Sequence, residues 1–584
     1  MRYRAQSSSR GFWGAFFGTL VALVVFIFVL GGLLYWKANE QPGIDDHSYL
    51  LVDLYGPMLE YPPAGGLMAE LTGGEPETLH RVLSNLEKAA VDDRIEGVIL
   101  KVSSSSGMGG GMAWEIRGAV HRVRDAGKKV YAFSDSFDRS SYLVMAACDS
   151  IFAPPSANIT IVGYAAVSQH LRGALDKLGI KPNLHKIKDY KSAAEMVLRK
   201  DMSPEAREMY EWLLDEAWDL TMEAMEKERG LTEDDVVALM QHAAFTGEEA
   251  KEAGLLDELL YWDQLEARLR REKDDELRTV SQCRYADVER AEVGLKGKKT
   301  VAVVHAQGMI GGRATRVDPL LGVMMGHESV IEDLRRARED EDVAAVVFRV
   351  DSGGGEGLAS DLISREVGIT AAEKPVVVSM VDVAASGGYY IAYQATKMVA
   401  NPVTMTGSIG SISGKFNSAG FWSKLGITHD HVERGPMALL WWSGRDFTNE
   451  ERTRFEQNHW DGFNDWLEDV AEHRGMTFEE AEALAHGRVW SGRQAKANGL
   501  IDDLGGLHRA VELAKELAEI PAGETVKLVH YPEPQGLVDV LLGGGDVTAA
   551  VRYAVYHTVR TELAETWRLL AGARLEWTEP VDLR

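Results

Sequence analysis

Val376-Val377-Val378-Ser379-Met380-Val381-Asp382-Val383-Ala384-Ala385-Ser386-Gly387-Gly388-Tyr389-Tyr390 is the stretch from which the rest of the chain is read. Its β-branched start predicts a buried strand, and the run from Gly387 to Gln394 predicts a helix. Ser386 falls among small residues at the turn between them. A serine there can expose its Oγ beside backbone N–H groups that have no intrahelical acceptor. That is what a nucleophile and its oxyanion need. The plainer reading makes Ser386 an N-cap before a tight helix–strand contact.

Working outward, the chain repeats itself roughly 250 residues apart, too long a period for a solenoid unit and suited to domain duplication. Leu51 to Gly56 resembles Val303 to Gly308. Two predicted helices follow, with Val82, Leu86 and Ala89 in one and Val330, Leu334 and Ala337 in the other at helical spacing. Each leads into a strand, Ile95 to Val102 and Val343 to Val350. Thr246-Gly247…Gly254-Leu255-Leu256-Asp257 matches Ser491-Gly492…Gly499-Leu500-Ile501-Asp502. Strands alternating with helices in each copy predict α/β domains.

The 584 residues suffice for more than one core, and the formal net charge of −26 argues against nucleic acid and anionic lipid as general partners. Residues 11–36 carry no charge and are long enough to cross a bilayer, with Arg2, Arg4 and Arg10 before them and Glu40, Asp45 and Asp46 after. The positive-inside rule predicts an uncleaved anchor, a cytoplasmic N-terminus at 1–10 and an extracytoplasmic remainder. The domains expected are a first repeat at 48–263, a charged connector at 264–298, a second repeat at 299–520 and a tail at 521–584. Cys148 and Cys283 are the two cysteines; Cys148 reads as a buried thiol. No CxxC or His/Cys cluster points to a metal, and no cofactor is expected.

The chemistry lies in the differences between the copies. Where the second has Ser386, the first has Arg139, so the first copy lacks the nucleophile unless Ser140 or Ser141 substitutes. Where the first has Lys191, in Lys188-Asp189-Tyr190-Lys191-Ser192-Ala193, the second has Ala438. A lysine serves as general base only when neutral, and apolar burial lowers its pKa. Asp351-Ser352-Gly353-Gly354-Gly355-Glu356-Gly357 can turn tightly and present N–H groups to an oxyanion, whereas the first copy reads Ser103-Ser104-Ser105-Ser106-Gly107.

Asp189-Tyr190-Lys191-Ser192-Ala193, Asp201-Met202-Ser203-Pro204-Glu205-Ala206-Arg207, Ala385-Ser386-Gly387-Gly388-Tyr389, Ala400-Asn401-Pro402 and Thr406-Gly407-Ser408-Ile409-Gly410 together resemble the signal peptide peptidase A family, in its long two-repeat form. The resemblance runs from the anchor to about Pro532. It implies tandem ClpP/crotonase-like domains behind one transmembrane helix, and a Ser/Lys protease that degrades released signal peptides and other apolar peptides. Residue by residue, it implies Ser386 as nucleophile, Lys191 as general base and Ser408 as the hydroxyl that orients the lysine. It implies Gly387 with Gly354 or Gly355 as oxyanion donors, and a homotetramer in the cytoplasmic membrane. Gly353 stands where the family usually has proline, which leaves open which glycine N–H serves. Two alternatives are a crotonase-like acyl-CoA enzyme and a non-catalytic membrane scaffold. A histidine base, His305 or His431, sits in no motif.

Overall fold

The computed structural model describes residues 43–533 apart from 57, 63–76, 104–106, 273, 275 and 319–321. The anchor expected at 11–36 and the tail beyond 533 lie outside the described residues. Among the described residues no helix is long and apolar enough to cross a membrane.

The duplication is visible strand by strand. The first sheet runs Ala244–Phe245, Asn158–Thr160, Lys129–Phe137, Ile95–Ser103, Ser48–Leu54, Thr279–Ser281. The second runs Val489–Ser491, Met405–Gly407, Val376–Ala385, Val343–Ser352, Thr300–Gln307, Lys527–Tyr531 in the same order. Each also carries a two-strand branch, so each has eight strands. The central neighbours are parallel, and only the first pair of each row is antiparallel. The mixed α/β class expected from strand–helix alternation is what the chain forms.

Each copy reaches past the boundary expected from its sequence. Thr279–Ser281 lies in the stretch read as a connector, and Lys527–Tyr531 in the stretch read as a tail. Both pair in parallel with the first strand of their own copy. They are short and set among charges, so no hydrophobic period announced them.

Strands of the second sheet are apolar on both sides, as parallel strands covered on two faces must be. Val301, Val303, Val347 and Val377 join the large core built around the first copy, while Ala302, Val304, Val346 and Val378 face the second copy's own core. The copies are therefore fused through a shared apolar layer. Val82, Leu86 and Ala89 of Leu79–Val91, and Val330, Leu334 and Ala337 of His327–Glu339, are all buried as their spacing required.

One polar knot crosses this layer. Arg349, fully buried, donates to Glu60 Oε1 at 2.8 Å, to Glu115 Oε1 at 2.7 Å and to Ser379 Oγ at 2.8 Å. Glu60 also pairs with His305 at 2.7 Å, and Asn401 donates to Glu115 at 3.0 Å. Both glutamates come from the first copy and the arginine from the second. His305 and Arg349 hold the Glu60 carboxyl down at about 2 against the desolvation that would raise it. Removing one member of such a pair strands a buried charge, at a cost of about 3–5 kcal/mol. Arg349→Ala should therefore lower the free energy of denaturant unfolding by about that amount; a change within about 0.5 kcal/mol, the range of ordinary surface substitutions, would mean the knot is not holding the copies together.

Candidate active site

Ser386 sits where the strand Val376–Ala385 gives way to the short helix Gly387–Tyr390. Its backbone is forced to φ 57°, ψ −118°, a conformation costly for a residue with a Cβ. The surroundings impose it. Ser386 N–H donates to Gly407 O at 2.8 Å, and its carbonyl accepts from Tyr389 and Tyr390. Tyr389 is pinned by its hydroxyl to Leu500 O at 2.9 Å. A Cβ on Gly388 would come 2.2 Å from Ser352 O, so the helix can approach the glycine turn only as glycine. The Ser386 side chain makes no capping bond. The N-cap reading thus fails to account for its hydroxyl.

That hydroxyl meets Lys191 instead. Lys191 Nζ lies 2.9 Å from Ser386 Oγ, 2.7 Å from Ser408 O and 2.9 Å from Ser408 Oγ. Only 4 % of the lysine is exposed. Desolvation lowers its pKa to about 7, and among the described residues no anion is drawn close to oppose this. A neutral amine has two N–H donors and one lone pair. Three contacts match that inventory if two N–H groups go to Ser408 and the lone pair accepts the Ser386 O–H.

The first copy delivers this lysine across the boundary between repeats. Its strand Lys181–Lys186 pairs antiparallel with Ile412–Asn417 of the second copy, and Ile187 N–H donates to Ser411 O at 2.9 Å. This ribbon sets Lys191 opposite Ser408, which stands four residues before Ile412. The lysine then lies in a cradle of glycines. A Cβ on Gly410 would come 3.3 Å from Lys191 Cδ, and one on Gly487, at φ +85°, 2.5 Å from Lys191 Cα.

The glycine turn lies on the other side of the serine. Gly354 N–H is already given to Ser352 Oγ at 3.1 Å. Gly354 O and Ile310 O accept from Ile310 and Glu356 on either side of Gly355, so this bridge makes no use of the Gly355 N–H. Gly387 N–H belongs to a first helical turn and has no intrahelical acceptor. A Cβ on Gly387 would lie 3.0 Å from Gly355 N. The N–H groups of Gly355 and Gly387 thus stand side by side near Ser386, and Gly354 contributes conformation, at φ +97°, rather than a donor.

Among its described residues the first copy, which supplies Lys191, offers no counterpart to the Ser386 hydroxyl. Sheet register aligns Asp138 with Ser386, and helix contacts align Arg139 with it. Arg139 donates to Val162 O and Gly163 O and stacks on Tyr164, while Ser141 is held in a capping box with Asp138. Lys188 is paired with Glu482 at 3.0 Å. His305 is occupied by Glu60 and His530, and His431 is exposed. Cys148 is buried and Cys283 exposed, and the two do not form a disulfide. Two acids beside the serine, Asp351 and Asp382, were not singled out from the sequence. The signal was there for Asp382, the one charged residue of its strand, whereas Asp351 shares its strand with Arg349.

A protein-family model described as Peptidase family S49 matches residues 122–276 and again 369–521. A chloroplastic protein of Arabidopsis thaliana named serine protease SPPA is 36 % identical over 81 % of this chain and 71 % of its own length. Proteins named protease 4 are similar as well. The one from Salmonella typhi is 29 % identical over 93 % of this chain and 90 % of its own length, and that of Haemophilus influenzae 28 % over 75 % and 72 %.

The cradle gives a test that touches neither reacting group. Gly487→Ala would put a methyl into the Lys191 backbone at a left-handed φ, and a displaced base costs on the order of 100-fold in rate. Peptide hydrolysis should fall by that much in Gly487→Ala and change little in Lys188→Ala; the reverse order would mean that Lys188, not Lys191, is the working lysine.

Proposed function

The chain belongs to peptidase family S49 and is a serine protease, and from that premise we propose that Ser386 is its nucleophile and Lys191 its general base. The observation that carries this is the 2.9 Å contact between a buried lysine amine, with no anion beside it, and the Oγ of a serine held in a strained turn. Neutral Lys191 takes the Ser386 proton as Oγ attacks a peptide carbonyl. Gly355 and Gly387 N–H groups receive the charge that develops on oxygen. The ammonium then gives its proton to the leaving amine, and water repeats the sequence on the acyl-enzyme. Ser408 takes no part in bond making; its hydroxyl and carbonyl keep the amine aimed at Ser386.

We assign the substrates to the signal-peptide class and other apolar peptides, in keeping with the family resemblance. The apolar run at 11–36 supports a single-pass anchor in the cytoplasmic membrane with the catalytic copies on the extracytoplasmic side. The fold is taken as ClpP/crotonase-like and the assembly as a homotetramer on the same resemblance. An acyl-CoA enzyme of that fold would have no use for the Ser386–Lys191 contact.

Since lysine and serine come from different copies of one chain, the site should be complete within each subunit. Ser386→Ala and Lys191→Ala should each abolish peptide cleavage, leaving folding intact. Co-expression of the two, with mixing proved by two affinity tags, should restore none of it; recovery would place the lysine of one chain on the serine of another.

The pH dependence comes from the amine. Desolvation disfavours the ammonium, so the working neutral form gains as pH rises. The acid limb of kcat/KM should have its midpoint near 7, where a free lysine would give 10.5. An acid limb still climbing at the free-lysine value would rule out a desolvated lysine base.

A further inference from the structure

The copies differ in one detail of the sheet beside the serine. In the second, Val350 opposes Met380 and pairing resumes with Ser352 opposite Ala384, so Asp351 alone faces Val381, Asp382 and Val383. In the first, Lys101 opposes Phe133 and Ser103 opposes Ser136, so Val102 faces only Ser134 and Asp135. A bulge bends its strand and re-aims the residues beyond it. Beyond the wider bulge, at the end of the same strand, stands Ser386.

Two carboxyl groups hold that bulge. Asp351 Oδ1 accepts the N–H of Val383 at 3.1 Å, and the Asp351 carbonyl accepts that of Gly308 at 2.9 Å. The next residue, Ser352, opens the glycine turn. Asp382 Oδ1 accepts Met112 N–H at 3.1 Å, and its carboxylate also takes that of Gly111. Those two N–H groups start the helix Gly110–Asp125 of the first copy, whose own N-cap, Gly109, has no side chain to offer. A Cβ on Gly109 would fall 1.9 Å from Asp382 Oδ2, so the fit requires glycine. In the first copy the bulge is closed by the hydroxyl of Ser134, bonded to Val102 O and Ser136 O.

We propose that Asp351 and Asp382 are positioning residues for the serine: Asp351 ties the bulge to the strand that carries the glycine turn, Asp382 ties it to the first copy, and together they set Ser386 against its oxyanion donors and Lys191. The proposal rests on reading Ser386 and Lys191 as the reacting pair. The groups facing Asp351 are Asp382, Glu60 and Arg349; those facing Asp382 are the two helix N–H groups, Glu115 and Arg349. Desolvation, and next the charge of Asp382, push Asp351 up to about 7, and desolvation raises Asp382 as well. The pair thus keeps a proton into the neutral range. Its loss at higher pH sets two like charges against each other across the bulge.

The test uses the full chain, an apolar fluorogenic peptide, and kcat and KM measured separately from acid to alkaline pH. Asp351→Ala should lower kcat by about 10–100-fold with KM unchanged, since misplacement costs rate rather than ground-state binding. Asp351→Asn keeps an oxygen for Val383 N–H and cannot ionise. It should restore most of that kcat and abolish the alkaline fall expected of the wild type, leaving the acid limb of Lys191 in place. An Asp351→Ala enzyme with unchanged kcat, or an Asp351→Asn enzyme with the wild-type alkaline fall, would overturn the proposal. If Asp351→Ala does not fold, the alkaline limb of Asp351→Asn decides alone. Ser386→Ala is run alongside: activity surviving there contradicts the nucleophile assignment itself, whereas an inactive Ser386→Ala with normal Asp351 variants contradicts only the positioning role.

Discussion

An amine taken out of water without an anion to meet it is the constraint on which the site depends. Lys191 is buried among apolar groups and glycines, and its pKa falls to about 7. At neutral pH and below, holding it there costs on the order of 5 kcal/mol relative to a free lysine. The cost shrinks as pH rises from the folded value toward 10.5, because the unfolded chain then binds the extra proton and the folded one does not. The rest of the fold must offset this. The ribbon of Lys181–Lys186 with Ile412–Asn417 and the apolar layer shared between the sheets do so by making the placement of the lysine inseparable from the joining of the copies.

On the proposed assignment, duplication explains how one chain carries a single complete site. A lysine on one domain reaches a serine on the next, and here the next domain is covalently attached. The unused positions have been put to structural work. Arg139 fills the place that Ser386 has in the second copy with bonds to backbone carbonyls, and Ser141 caps a helix. The knot of Arg349 with Glu60 and Glu115 crosses the same boundary, as does Asp382 capping a first-copy helix. Serine, lysine, bulge and knot are all arranged around the seam between repeats.

Much of this was legible in the sequence, and the reasons differ by element. The repeat, the α/β class and the buried faces of Leu79–Val91 and His327–Glu339 follow from periodicity, which burial enforces directly. Ser386 and Lys191 stood out because each copy lacks what the other has. The sixth strands, Thr279–Ser281 and Lys527–Tyr531, were hidden: strands so short take their identity from a neighbour in space, not from their own pattern. That Gly354 N–H is given to Ser352 Oγ was equally invisible, because it depends on where that hydroxyl points. Asp382 could have been noticed as the one charge in its strand, but the partners of Asp351 and Asp382, namely Val383, Met112 and Gly111, are backbone groups that no side-chain pattern reveals.

The central claim is that Lys191 is neutral at the pH where the enzyme works. It is tested most directly by an NMR titration of protein labelled with carbon-13 at lysine Cε, the signal assigned by its loss in Lys191→Ala. A signal titrating near 7 is the result the structure requires; one that stays in the ammonium form until about 10.5 would contradict it.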